Sequence, residues 1–277
     1  MERVKPDTAG QYLKALRSLH IERGYDPVVF SDPRISLLMR GGRRLYGNGD
    51  RRKRLPLTLD ILTRILHEVD NDYNGTNLRA ALCVAFAAFL RAGEFTWDDW
   101  DPNSSPKFLL ARSHITFLPD GNASLFLPSS KTDPARKGTT IHLATVPSWA
   151  CPVTALHCLF RLCPAPLDSP LFSRLFGPFS RSYLVERIHH LLLWAGLPTT
   201  GFSGHSIRKG AAVTAWRHGI TKDEIKLMGR WKSDAVVLYI DEAAETECTQ
   251  RLLTLNSRLL SSQALLEPDG PLFHRVT

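Results

Sequence analysis

The stretch ALCVAFAAFL, residues 81–90, constrains the fold more than any other part of the chain. A helix that is apolar on every side has no face to offer to water, so it must run through the centre of a core. The run is too short to cross a bilayer, which takes about 20 apolar residues, and it stops at Arg91. The pattern predicts a central helix over 78–91, from whose end the Arg91 guanidinium emerges at the rim of the core. Such a cation needs a partner. Glu94, one turn on, is placed to supply it, and the plainer role for Arg91 is to cap the last helical carbonyls.

With 277 residues, 43% of them hydrophobic, the chain can bury one large core or two smaller ones, and its composition is that of a globular protein. Its formal charge of +8 favours a polyanionic partner, with nucleic acid leading the candidates. The N-terminal MERVKPDTAG carries no hydrophobic signal region, so a soluble intracellular protein with no membrane partner is expected. Five cysteines without disulfide-rich spacing fit reduced thiols in the cytosol or nucleus. Cys151, His157, Cys158 and Cys163 cluster without a CxxC pair, in a run that reads as an apolar helix, so buried thiols are expected and no metal site.

Along the chain the pattern predicts a mainly α protein with a small three-stranded antiparallel β-sheet. Two helical patterns fill 7–46, the first carrying Tyr12, Leu13, Leu16 and Leu19, the second containing a Gly pair. Two helices make a thin domain, taken as 1–48. The segment 49–56 reads as an exposed linker; its run Arg51, Arg52, Lys53 and Arg54 is a solvated loop, a linker lying along phosphates or a nuclear import signal.

A larger domain is expected over 57–262. Thr58 is placed to cap a helix whose Leu59, Leu62, Ile65 and Leu66 share a face. Period-two alternation then marks strands at Ile115–Phe117, Leu125–Leu127 and Ile141–Leu143. Helices are predicted at 152–162, 180–195, 206–218, 221–228, 234–240 and about 243–260. Thr221 and Glu224 are spaced as a capping box, and Gly219 and Gly229 are placed to end helices. Residues 263–277 read as a flexible tail, and there are no internal repeats.

His205 and Arg208 stand one turn apart at the start of their helix, where the positive end of the helix dipole already favours an anion. A phosphate suits them: Arg offers a planar two-pronged donor and His a hydrogen bond or proton. A buried His bonded to a carbonyl, with Arg208 paired to an acid, is the alternative for this segment alone. Lys131, in SSKTD between the second and third strands, is by itself an ordinary loop lysine.

Taken in order, Arg91 with Glu94, the hairpin Lys131, HSIR at 205–208, MGRW at 228–231 and Tyr239 resemble the tyrosine recombinase (phage integrase) family, over roughly residues 55–260. GRWKSDAVVLYI looks most like the eukaryotic mobile-element branch, the Crypton and DIRS-type recombinases. The resemblance implies the family's catalytic-domain fold, preceded here by a reduced helical DNA-clamping domain. It also implies site-specific breaking and rejoining of double-stranded DNA through a 3′-phosphotyrosyl intermediate, without metal, ATP or other cofactor.

By that resemblance Tyr239 is the nucleophile, Arg91 and Arg208 bind the non-bridging oxygens, Lys131 protonates the leaving oxygen, and His205 moves protons. Trp231 packs on the phosphate site, Glu94 and Arg230 support it, and Arg51, Arg52, Lys53, Arg54, Lys137, Lys209 and Lys232 face DNA; Lys137 shares the Lys131 turn and is the other candidate acid. It further implies a tetramer on paired DNA sites, with the amphipathic segment 243–262 swapping between protomers rather than packing on its own domain, and a nuclear location for a eukaryotic protein, otherwise the cytoplasm with DNA.

Two departures stand out. Many family members have a His or Trp nine positions before the tyrosine; here Arg230 is nine before and Trp231 eight, so either could fill that slot. The family's clamping domain has four or more helices, and 1–48 supplies about two, so the chain looks truncated or reduced. Two other readings are a catalytically silent DNA-binding protein built on a helix-turn-helix-like unit at 221–240, with Tyr239 in its core, and a type IB topoisomerase, against which the short N-terminal part speaks.

Overall fold

A computed structural model of the chain describes residues 4–47, 54–98, 110–130, 133, 135–237 and 239–240. The chain divides into two compact units, Met1–Lys53 and Arg54–Thr277. In the first, α1 (Pro6–Glu22) and α2 (Pro33–Tyr46) pack against each other across a 3₁₀ turn at Pro27–Ser31. Each element begins with proline, whose fixed φ and missing N–H suit the first helical turn. Asp26 and Asp32 then cap the second and third by accepting from the Val28 and Arg34 amides.

The second unit is mainly helical, with helices α3 (Leu59–His67), α4 (Tyr73–Ala87), α5 (Ala92–Phe95), α6 (Pro152–Leu162), α7 (Arg181–Trp194), α8 (Ser206–Arg217) and α9 (Lys222–Met228). Strands β1 (Ile115–Phe117), β2 (Ala123–Leu127) and β3 (Thr139–Leu143) form an antiparallel sheet in the order β1-β2-β3, with Leu125 opposite both Ile115 and Ile141. Ala123, Leu125 and Leu127 point inward from β2, as the alternating pattern requires.

The apolar helix is central, as its composition dictates: α4 packs against α6 and α8, and Leu78 to Ala85, apart from Arg79, are essentially inaccessible. Its limits differ from the sequence reading. It starts at Tyr73, because the Asp72 carboxylate accepts from the Gly75 amide at 2.6 Å. It ends at Ala87 rather than Arg91, because Phe89 turns into the left-handed region (φ 51°). The Leu90 amide reaches back to the Ala85 carbonyl and the Phe89 amide to that of Phe86, a helix end that usually has glycine at the reversed position. Arg91 is therefore not the helix's last residue but the N-cap of α5.

Thr58 occupies the N-cap of α3, but its side chain caps nothing; the Leu59 amide donates instead to Thr214 Oγ1 of α8, at 3.1 Å. Thr221 and Glu224 do form a capping box. Gly219 (φ 81°) lies just past the end of α8. Gly229 ends α9 with ordinary right-handed dihedrals, and the reversed residue is its neighbour Arg230 (φ 57°).

After a 3₁₀ turn at Asp234–Val236 the chain is helical at Val237, Tyr239 and Ile240. Val236 and Ile240 join Phe89, Ala211, Ala212, Ala215 and Ile225 in a small second core, which draws the ends of α4, α8 and α9 and the Tyr239 segment together. The segment 243–262 and the tail 263–277 lie outside the described residues.

Candidate active site

Arg208 sits at the middle of that junction and is only 3% exposed. One guanidinium nitrogen donates to the Phe89 carbonyl and the other to the Gly229 carbonyl. Both acceptors belong to reversed helix ends, where carbonyls lack intrahelical partners and the dipole is negative. The turns at Phe89 and Arg230 thus brace one buried cation. Its flat face lies 4.1 Å from the centre of the Trp231 ring. Burial, and next the nearby Arg91, push its pKa down to about 9, which leaves it cationic at neutral pH.

Arg91 is held by Glu94, as its spacing predicted: Nη1 donates to Oε1 at 2.7 Å, and Oε2 accepts from the Arg91 amide at 2.8 Å. Glu94 also meets Arg230, whose Nη2 lies 3.3 Å from Oε2 and whose Nη1 donates to the Ala88 carbonyl at 2.9 Å. The Glu94 side chain is only 5% exposed, so its charge faces Arg91 and Arg230 with little screening. Burial lowers the Arg230 pKa, an effect that the Glu94 carboxylate opposes.

His205 stands at the N-cap of α8, half-buried. Its pKa is held below the usual value by burial and then by four guanidinium groups, those of Arg54, Arg181, Arg208 and Arg91. Arg181, at the start of α7, was not picked out from the sequence: one Arg at the head of a helix carries no spacing signal. Gly204 brings the groups together, since a Cβ there would lie 3.0 Å from both Ala92 Cβ and Arg181 Nε.

Tyr239 is half-buried beside this cluster, its ring 6.3 Å from that of Trp231, and it acts on the charge of Arg208. Trp231 lies between Arg208 and Tyr239, whereas Arg230 turns away to the carbonyls of Ala88 and Phe89. A Cβ on Gly229 would come within 1.6 Å of the Trp231 ring, so only glycine leaves that indole where it is. Lys209, expected to face DNA, is instead buried: its Nζ donates to the Arg54 carbonyl at 2.8 Å and lies 5.9 Å from the Tyr239 ring centre. Lys137 and Lys232 are exposed. Arg51, Arg52, Lys53 and Lys131 lie outside the described residues.

Among the described residues no group of three or more His, Cys, Asp or Glu side chains is placed to hold a metal ion. His157 stacks on Phe117, and Cys151 caps α6 by accepting from the Thr154 amide. No described helix is long and apolar enough to cross a membrane. What the arrangement offers is a half-buried phenol beside guanidinium groups fixed by carbonyls and one carboxylate. Such a set stabilises a phenolate and the charge that builds on a phosphoryl group under attack.

No family model matches the chain. It is 25% identical, over 258 residues, to an integrase/recombinase XerD homolog of Selenomonas ruminantium, a match covering 86% of this chain and 69% of the relative. Its fold is similar to that of the XerH site-specific recombinase. The post-cleavage complex with palindromic difH substrate superposes with a TM-score of 0.54 at 14% identity, covering 92% of this chain and 72% of the other. The pre-cleavage complex gives 0.50 at 15% identity, covering 87% and 70%. The chain is thus similar in sequence to an integrase/recombinase and similar in fold to a site-specific recombinase.

Proposed function

We propose that this protein is a site-specific DNA recombinase in which Tyr239 attacks a DNA phosphodiester, forming a 3′-phosphotyrosyl bond and releasing a 5′-hydroxyl. The observation that supports this reading is the convergence of Arg91, His205, Arg208, Trp231 and Tyr239, remote in sequence, on one junction between α4, α8 and α9. A free phenol, with a pKa near 10, is a poor nucleophile at neutral pH; cations that stabilise the phenolate and the phosphoryl oxygens remove that obstacle. Each fixed donor of this kind contributes about 2.7–4 kcal/mol in the transition state. Arg91 and Arg208 take the non-bridging oxygens, and His205 relays a proton between tyrosine and phosphate. Lys131, with Lys137 in the same turn, is assigned as the acid for the leaving oxygen. Trp231, rather than Arg230, fills the place beside the phosphate.

The covalent link keeps the energy of the broken bond, so the second strand's 5′-hydroxyl can reverse the step and strands can be exchanged. The motif GRWKSDAVVLYI supports a mobile-element origin, and the basic run at 51–54 supports a nuclear location. Assembly as a tetramer on paired DNA sites belongs to the same reading. The direct test is incubation with a suicide DNA site and a denaturing gel. A covalent adduct is expected with the wild-type chain and none with Tyr239→Phe; an adduct with the Phe variant removes Tyr239 as the nucleophile. A wild-type chain that binds DNA tightly but never forms an adduct would favour the silent DNA-binding reading.

A further inference from the structure

Four guanidinium groups act on the charge of His205, and they are not alike. Arg91 is tied to the Glu94 carboxylate, and Arg208 is buried on two carbonyls. Arg54 and Arg181 are exposed, and among the described residues no carboxylate pairs with either side chain. The Arg54 backbone and the Arg181 stem are nonetheless held in place. The Arg54 carbonyl accepts from Lys209 Nζ, and the next residue, Leu55, donates its amide to the Gly201 carbonyl at 2.9 Å, which fastens this segment to the loop leading into α8. Arg181 lays its stem over Gly204, with Nε 3.0 Å from the point a Cβ would occupy; the Cβ of Ala92, the neighbour of Arg91, lies 3.0 Å from the same point.

Like charges gathered in this way repel one another, and one carboxylate does not neutralise them. A single phosphate has two non-bridging oxygens, which on the recombinase reading Arg91 and Arg208 take. Arg54 and Arg181 are left over, on the His205 side of the site. A nucleic-acid strand supplies what they lack, since it repeats a negative charge about every 3.4 Å of helix rise.

We propose that Arg181 and Arg54 form a second phosphate subsite, which grips the backbone phosphate next to the one attacked and so sets the register of the strand. This rests on the recombinase reading above. It predicts a residue pair whose loss weakens strand positioning while leaving the attacking group and its two anchored arginines in place.

The test uses the full chain and a fluorescein-labelled DNA duplex, with affinity followed across a KCl series. Arg181→Ala and Arg54→Ala are each expected to lower the slope of log affinity against log salt by about 0.9, the value for one lost phosphate contact. Arg181→Lys, which keeps the charge, is expected to keep the slope, as is Arg161→Ala on the exposed end of α6. A suicide site carrying a neutral methylphosphonate beside the scissile phosphate then locates the contact. It slows adduct formation by the wild-type chain several-fold and adds nothing to the defect of Arg181→Ala. A wild-type slope for Arg181→Ala, or losses from the variant and the methylphosphonate that multiply, overturns the subsite and leaves the recombinase reading intact. A wild-type chain with no salt-dependent affinity for duplex DNA overturns both.

Discussion

Arg208 is a buried cation that ties together the junction at which Tyr239 lies. A buried guanidinium without a carboxylate of its own is costly, and here two carbonyls from reversed helix ends and an indole face offset that cost. Glu94 does the same for Arg91 and Arg230 together. Glu94→Gln removes the carboxylate charge that pairs with Arg91 and Arg230, so it should cost about 3 kcal/mol in urea unfolding and slow adduct formation as Arg91 loses its fixed position. Retention of wild-type stability would mean that the carboxylate is not what holds the cluster. His205 is the group from which a pH dependence is expected. Its pKa is depressed by burial, then by Arg54, Arg181, Arg208 and Arg91, and a phosphate bound among those groups would raise it. Between the free and bound pKa values the complex holds the extra proton. DNA affinity should therefore strengthen as pH falls through that window and level off below it, and His205→Gln should flatten the profile, as titrations at constant ionic strength would show.

At the scale of elements, the site depends on close approach of backbones. A Cβ on Gly210 of α8 would lie 1.7 Å from the Leu57 carbonyl oxygen, and the Leu57 amide donates to the Ser206 carbonyl at 2.9 Å. Backbone cannot move aside as a flexible side chain can. Gly210→Ala should cost about 3 kcal/mol and lower Tm by on the order of 10 °C in calorimetry. The glycine at 229 has a different task. Gly229→Ala must displace the Trp231 ring, so loss of adduct formation should exceed the loss of stability, and Trp231→Phe should be the milder change. The boundaries of α4 tell the same story from the sequence side. The apolar run gave away a central helix, but its end at Ala87 is set by the left-handed Phe89, which no local pattern announces because glycine is the usual residue there. The sheet was legible strand by strand, since alternation of inward and outward side chains is a local property.

For the whole molecule, the described part consists of two separate units, and the converging residues 91, 94, 205, 208, 230, 231 and 239 all belong to the second. Removing the phenol hydroxyl alone should separate binding from chemistry. Tyr239→Phe is expected to bind duplex DNA with wild-type affinity and salt slope while forming no covalent adduct; a large loss of affinity would mean that the phenol is part of the fold rather than of the reaction. By itself the sequence determined the helical class, the small sheet, the capping box at Thr221 and the pairing of Arg91 with Glu94, because each follows from residue type and spacing within a few turns. Only the tertiary structure decided that Lys209 is turned inward, that Trp231 and not Arg230 lies beside Tyr239, and that Arg54 and Arg181 join His205. Those outcomes depend on contacts between segments far apart in the chain, where the direction of a side chain is set by what packs against it rather than by its neighbours in sequence.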